Sequence, residues 1–210
     1  MSCRRTYLFT GLAPLLLSLL ATGCASSGTV IPGRTLALAS VEYPDGVKAV
    51  AVQAGESSPA ARFGEAFLRA MGREKQYEVV DARNRGARYA DLGKASARTE
   101  ALHRDVPADA YLAVRLLGCN AAPTTERERR GSGPSSVEVT VYFFRAECVP
   151  ELTAFDATGK TIATLQRTGR WDSPRQDRPD SAAMQSQALT SAIEDAARRL
   201  ASELRPTAAK

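Results

Sequence analysis

Along this chain, strand-length runs of β-branched residues alternate with helix-length apolar stripes, and that alternation restricts the fold more than any other feature. "TLALASVEY" (35–43) is read as an edge strand and "VKAVAVQ" (47–53) as a strand of buried length. Ser58-Pro59 then has the form of an N-cap followed by proline at the first helical position, and Phe63, Ala66, Phe67, Ala70 and Met71 recur at helical spacing before Gly72. "YEVVDAR" (77–83) predicts a second strand, "SARTEALHRDV" (96–106) a second and weaker helix, and "AYLAVRLLG" (110–118) a third strand. A polar excursion, "NAAPTTERERRGSGPSS" (120–136), leads to strand-like "VEVTVYFF" (137–144). "ELTAFDATGKTIATLQRTGRW" (151–171) reads as a hairpin turning at Ala157-Thr158-Gly159-Lys160. Met184, Leu189, Ile193, Ala196, Leu200 and Leu204 stripe a last helix over residues 181–205, stopped by Pro206. The expectation is one α/β (α+β-like) domain over residues 35–206, in the order β-α-β-α-β-β-β-α. It has a mixed sheet with helices packed on it, no internal repeat, and a short tail at 207–210.

Residues 1–23 stand outside this pattern. A basic start, Arg4 and Arg5, leads into an apolar body from Tyr7 to Leu20. That body is shorter than the roughly 20 residues of a membrane-spanning helix, so it reads as a cleaved signal peptide. Its end, Ala21-Thr22-Gly23-Cys24, resembles a bacterial lipobox, in which the cysteine receives diacylglycerol and becomes the acylated N-terminus. Ala21 departs from the leucine that the pattern prefers. Ala-Thr-Gly also suits ordinary signal peptidase, which would cut the same bond and leave Cys24 unlipidated. The preferred reading makes Cys24 the site of lipid (diacylglycerol and palmitate) attachment. Ala25-Ser26-Ser27, without an aspartate, resembles lipoproteins carried to the outer membrane, with either face of that membrane left open. Several acyl chains hold firmly, since each buried methylene adds about 0.8 kcal/mol. Residues 24–34 are the lipidated N-terminus and a Ser/Gly tether of about ten residues, with a random-coil span of about 17 Å.

Removing residues 1–23 takes Arg4 and Arg5 and no acid, leaving 26 basic against 23 acidic residues. That excess is too small to suggest nucleic acid as a partner. The remaining 187 residues suffice for one domain with a real core. Cys3 leaves with the signal and Cys24 carries lipid, so Cys119 and Cys148 remain as a candidate disulfide in an oxidising compartment. If "AYLAVRLLG" pairs antiparallel with "VPELTAFD" so that partner numbers sum to 267, Cys119 lies opposite Cys148, at a spacing that suits a bridge. Two buried free thiols are the alternative.

"VKAVAVQ", the helix ending near Gly72, "YEVVDAR", "ADAYLAVRLLG", the "FDATGKTIA" hairpin and "SAIEDAARRLASEL" together resemble the α/β lipoprotein group that includes the curli secretion lipoprotein CsgG and the penicillin-binding-protein activator LpoB. These phrases cover most of the mature chain and are packing patterns. The resemblance implies an assembly or regulatory protein and not an enzyme.

The residues themselves lead the same way. His103, the single histidine, sits on the second helix with no nucleophile signal near it and reads as a surface or packing residue. One histidine and two pairing cysteines assemble no zinc site. "GSGPSS" (131–136) lacks the lysine and the strand-to-helix setting of a phosphate loop and reads as a mobile loop. No catalytic, cofactor-binding or metal-ligating residue is assigned. Arg127, Arg129 and Arg130, interleaved with Glu126 and Glu128, are either a contact for an acidic partner or lipid headgroup or, preferably, a self-compensating charge run. Trp171 is either an interface anchor or, preferably, a seal on the core edge.

A secretion channel needs membrane strands of about 9–11 alternating residues. Only "VEVTVYFF" approaches that, against "TTERERRGSG", so a pore is disfavoured. A cell-wall synthase activator needs a long tether, and this one is short. The expected role is a non-enzymatic, periplasm-facing outer-membrane lipoprotein that binds another envelope protein near its membrane. Its oligomeric state is left open, and the synthase activator is the alternative.

Overall fold

A computed structural model describes residues 28–47, 57–94, 96–177 and 182–206 of the chain. The expected signal peptide, Cys24, nearly all of "VKAVAVQ" and the expected tail lie outside the described residues. The elements are β1 (Thr29–Ile31), β2 (Thr35–Glu42), α1 (Pro59–Glu74), β3 (Glu78–Asp81), α2 (Tyr89–Leu92), α3 (Ala97–Asp105), β4 (Ala110–Arg130), β5 (Val137–Phe155), β6 (Thr161–Gln166), β7 (Gly169–Asp172), α4 (Ala182–Glu203) and β8 (Leu204–Pro206). The main sheet runs β3-β2-β4-β5-β6, with β7 beside β5. β3, β2 and β4 are mutually parallel, and β5, β6 and β7 add antiparallel, so the sheet is mixed. Among the described residues, no helix is long and apolar enough to cross a membrane.

Two hydrophobic clusters lie on opposite faces of this sheet. Leu36, Leu38, Leu112, Val114, Leu152 and Ala154 point one way, against Phe63, Phe67 and Met71 of α1 and the Ala192, Ile193, Ala196 and Leu200 stripe of α4. Ala37, Ala39, Tyr111, Ala113 and Phe155 point the other way, against Leu92 of α2 and Leu102 of α3. The expected edge strand at 35–43 is therefore an interior one, flanked by β3 and β4 and buried on both faces. Its near-continuous apolar run, without polar alternation, is what a parallel strand covered on both sides looks like. α1 starts as expected: the Ser58 Oγ accepts from the Ala61 N–H at 3.2 Å, with Pro59 in the first turn. It passes through Gly72 and ends where Lys75 takes a left-handed φ of 52° and donates its N–H to the Met71 oxygen.

The polar excursion is the largest departure from expectation. Residues 120–130 continue β4 as a strand, paired residue by residue with β5 out to Arg130↔Val137. "GSGPSS" is the turn of this long hairpin, with Gly131 (φ 95°) and Gly133 (φ 68°) in the left-handed region that reverses the chain. Beyond Thr124 and Thr125, the Arg/Glu alternation of residues 126–130 has little intrinsic strand preference; pairing with the β-branched and aromatic residues of β5 supports the conformation. From Gly118↔Val149 outward the partner numbers sum to 267 as expected, and Cys119 and Cys148 form a disulfide. Nearer the body the sum is 266, because β4 bulges between Leu116 and Gly118. That extra residue switches parity, so Leu112, Val114 and Leu116 below it and Cys119 and Ala121 above it all face the α4 side.

Residues 29–31, expected in the tether, form β1. They pair in parallel with β8, which carries the chain on directly from α4. Ile31 is fully buried, and its carbonyl accepts from the Tyr77 hydroxyl at 2.9 Å.

Candidate interaction surface

β7 carries Gly169 and Trp171 on one face, two residues apart. At Gly169 the strand meets α4 so closely that a Cβ would lie 2.1 Å from the Ala192 carbonyl oxygen and 2.4 Å from the Ala196 nitrogen. Alanines at these helix positions and glycine on the strand let backbone meet backbone. Further along β7 the helix no longer covers the strand, and Trp171 stands 47 % exposed. The preferred reading of Trp171 as a core seal gives way here: the indole lies beside the core and is open to solvent.

Trp171 borders a groove of about 300 Å³ between α1 and α4. Ala66, Ala70 and Ser191 line it with small side chains, while Arg69 and Arg73 of α1 and Glu194 and Arg198 of α4 supply charge. The spacings 66, 69/70, 73 on one helix and 191, 194, 198 on the other put these residues on facing sides. Arg69 reaches Glu194 across the groove at 3.4 Å. Arg198 is drawn to Asp195 at 2.9 Å. Asp195 is partly buried, which pushes its carboxyl up, but hydrogen bonds from Arg198, Arg199 and the Arg170 N–H bring it below the usual carboxylate range. That carboxylate thereby ties β7 to α4. Arg73 is exposed and has no ion-pair partner among the described residues.

The three hairpin arginines lie elsewhere. Trp171 is opposite Ala146 and Arg130 is opposite Val137, nine residues further along β5, or about 30 Å. They sit on a strand and not in a loop. Arg127 approaches Glu138 at 3.9 Å, Arg129 donates from Nε to the Ser136 Oγ at 2.7 Å, and Arg130 lies 2.8 Å from Asp177. The structure therefore does not bring Trp171 and these arginines together.

A residue with no local sequence signal, Arg175, organises the other face of the hairpin. It binds Glu128 at 2.6 Å and Glu126 at 2.7 Å, and its guanidinium lies 5.6 Å from the centre of the Phe143 ring. The backbone of residues 173–177 is laced to β5 through Ser173, Phe144, Gln176 and Tyr142. Only this tertiary contact turns "SPRQD" into a strap along the hairpin.

His103 packs on Tyr111 with ring centroids 4.2 Å apart and the planes tilted by 32°, and its Nε2 is buried without a hydrogen-bond partner. Burial pushes its pKa down, against a smaller upward pull from Asp156. This is a packing position. Among the described residues, no three His, Cys, Asp or Glu side chains converge as a metal site would require.

No family model matches the chain, and no curated protein matches it. Among solved structures it is similar to the hypothetical protein CT253 from Chlamydia trachomatis, with 12 % identity over 82 % of this chain and 93 % of that one and a TM-score of 0.42. It is also similar to lipoprotein GNA1162 from Neisseria meningitidis, with 14 % identity over 74 % of this chain and 92 % of that one and a TM-score of 0.38.

Proposed function

We propose that this chain is a non-enzymatic, outer-membrane-anchored lipoprotein of the cell envelope that binds another envelope protein through the groove at Trp171. One observation carries the reading: a half-exposed tryptophan at the mouth of a groove whose Arg73 has no partner among the described residues. An indole left open is an amphipathic anchor, and aromatic and arginine side chains dominate the energetics of protein interfaces. The groove suits a segment with an apolar side chain to cover the indole and a carboxylate to meet Arg73. The lipobox at Cys24 supplies the anchor in this reading.

Reach supports a partner close to the membrane. β1 begins at Thr29, so only four residues separate Cys24 from the fold, a span of at most about 17 Å even when fully extended. An activator of a cell-wall synthase, as the likeness to the CsgG and LpoB group would allow, has to extend much further. The hairpin also makes a poor membrane strand pair, since Glu126, Glu128 and Arg145 charge one face and Arg127, Arg129 and Glu138 the other.

A photo-crosslinking residue at Ser191 of the membrane-anchored protein should yield one discrete adduct in cells, weakened by Trp171→Ala and by Arg73→Glu. A penicillin-binding protein in that adduct would move the activator reading to first place. Adducts from the remote position Arg104 but none from Ser191 would remove the groove as the binding surface.

A further inference from the structure

β4 is paired on both sides only up to Arg115, opposite Glu42 of β2. Beyond it, among the described residues, no strand lies along its outer side. The phase of the hairpin says which backbone groups this leaves open. Tyr142 exchanges hydrogen bonds with Gln176 (2.8 and 3.0 Å), and Ser173 donates to the Phe144 oxygen at 2.8 Å, so the even residues of β5 turn their N–H and C=O toward the strap. Its odd residues therefore bond to β4, where their partners are even: Phe143↔Thr124, Val141↔Glu126, Val139↔Glu128. The odd residues of β4 must then face outward. Two independent facts agree with this. The Gln185 Nε2 donates to the Ala121 oxygen from outside the hairpin at 2.9 Å. Pro123, which has no N–H to give, falls at an outward position, where an edge strand tolerates it.

Thr125, Arg127 and Arg129 thus present three successive outward N–H and C=O pairs on an exposed edge. Their side chains share one face of the hairpin. Arg127 is 76 % exposed, with Glu138 at 3.9 Å as a weak partner. Glu126 and Glu128, on the opposite face, are already paired, Glu126 with Arg175 and Arg145 and Glu128 with Arg175 and Arg130. The charge this edge has to offer is positive, at every second residue.

We propose that residues 125–129 of β4 receive an extended acidic segment of a partner protein as an added strand. Its backbone pairs with Thr125, Arg127 and Arg129, and carboxylates at alternate positions lie beside the two arginines, within cross-strand distance. A second copy of this chain fits less well. Antiparallel self-pairing centred on Glu126, Arg127 or Glu128 sets a glutamate opposite a glutamate in every case. The centre of this surface, Arg127 opposite Thr140, is six residues or about 20 Å along β5 from Ala146, the partner of Trp171, and the proposal does not rest on the groove reading.

The probe is a synthetic nonapeptide alternating glutamate with threonine or valine, titrated into the full mature chain in detergent at low salt and followed by peptide anisotropy and amide hydrogen exchange. Binding should protect the amides of Thr125, Arg127 and Arg129, while those of Glu126 and Glu128, already bonded to β5, change little. Thr125→Pro deletes one outward N–H and no hairpin bond, so it should keep the fold, judged by circular dichroism and by the Cys119–Cys148 bridge, and weaken the peptide by about tenfold. Arg127→Glu with Arg129→Glu, which leaves the backbone untouched, should also weaken it by about tenfold or more, and added salt should act in the same direction. A lysine-for-glutamate peptide should not bind. Equal binding to both variants, or exchange at Thr125 that the peptide does not slow, would overturn the proposal. So would a dimer of the peptide-free chain that Thr125→Pro abolishes, since the occupant would then be a second copy.

Discussion

Replacing Gly169 with alanine tests whether the approach of β7 to α4 is what positions Trp171. The added Cβ would lie 2.1 Å from the Ala192 oxygen, 2.4 Å from the Ala196 nitrogen and 2.7 Å from the Ala196 Cβ. All three atoms belong to the helix backbone or to its shortest side chain, so no flexible group can swing aside. Either α4 or β7 must shift, and overpacking of this kind costs about 1–3 kcal/mol, here toward the upper end. Against it, alanine lowers the entropy of the unfolded chain and recovers about 0.4–1 kcal/mol. The net expectation is a loss of about 2 kcal/mol, which for a domain of this size lowers Tm by about 4–8 °C. Trp171 is the single tryptophan of the chain and sits two residues away, so its emission reports the same displacement locally. Urea titration followed by Trp171 fluorescence and by far-ultraviolet circular dichroism measures both effects. Gly72→Ala is the matched control: it lies within α1, a Cβ there meets nothing within 4 Å, and the variant should gain about 0.5–1 kcal/mol. A Gly169→Ala protein as stable as the parent, with unchanged tryptophan emission, would refute the close-packing account of β7.

Reduction of the Cys119–Cys148 bridge, which spans a sequence separation of 29, should cost about 3–4 kcal/mol in the chain-entropy model; thiol labelling of the denatured, unreduced chain should find both cysteines blocked. His103 has a folded-state pKa below its unfolded value, so the unfolded chain takes up its proton first. Stability should be full above the ordinary imidazole pKa of about 6.5 and fall as pH drops below it, and His103→Phe should flatten that part of a urea-midpoint profile against pH. Intact mass of membrane-extracted protein should exceed that of residues 24–210 by acyl groups, and Cys24→Ala should accumulate as precursor or appear in the soluble fraction; a variant still firmly membrane-bound would reject lipidation.

Elements whose signals are local were legible in the chain itself. The Ser58-Pro59 start of α1, the stripe of α4 and the turn at Asp156, whose Oδ1 accepts from the Thr158 and Lys160 N–H groups, each depend on residues within a few positions of one another. The disulfide was legible for a different reason. Two cysteines set in strands that can run antiparallel leave few registers, and a pairing sum of 267 is the one that opposes them. What the sequence alone could not decide depends on a distant neighbour. Residues 120–130 are a strand because β5 lies beside them, β2 is interior because β3 and β4 flank it, and residues 29–31 join the fold because β8 is there to pair with them. The same holds for the candidate surfaces. Tryptophan next to a strand end can seal a core or stand open; the point where α4 leaves β7 decides it, and the Gly169 contact sets that point. Arg127 and Arg129 read as a self-compensating charge run in one dimension. Strand pleating then separates the signs, with Arg175, Arg145 and Arg130 pairing the glutamates on one face and Arg127 and Arg129 left on the other, because alternate residues of a strand point in opposite directions.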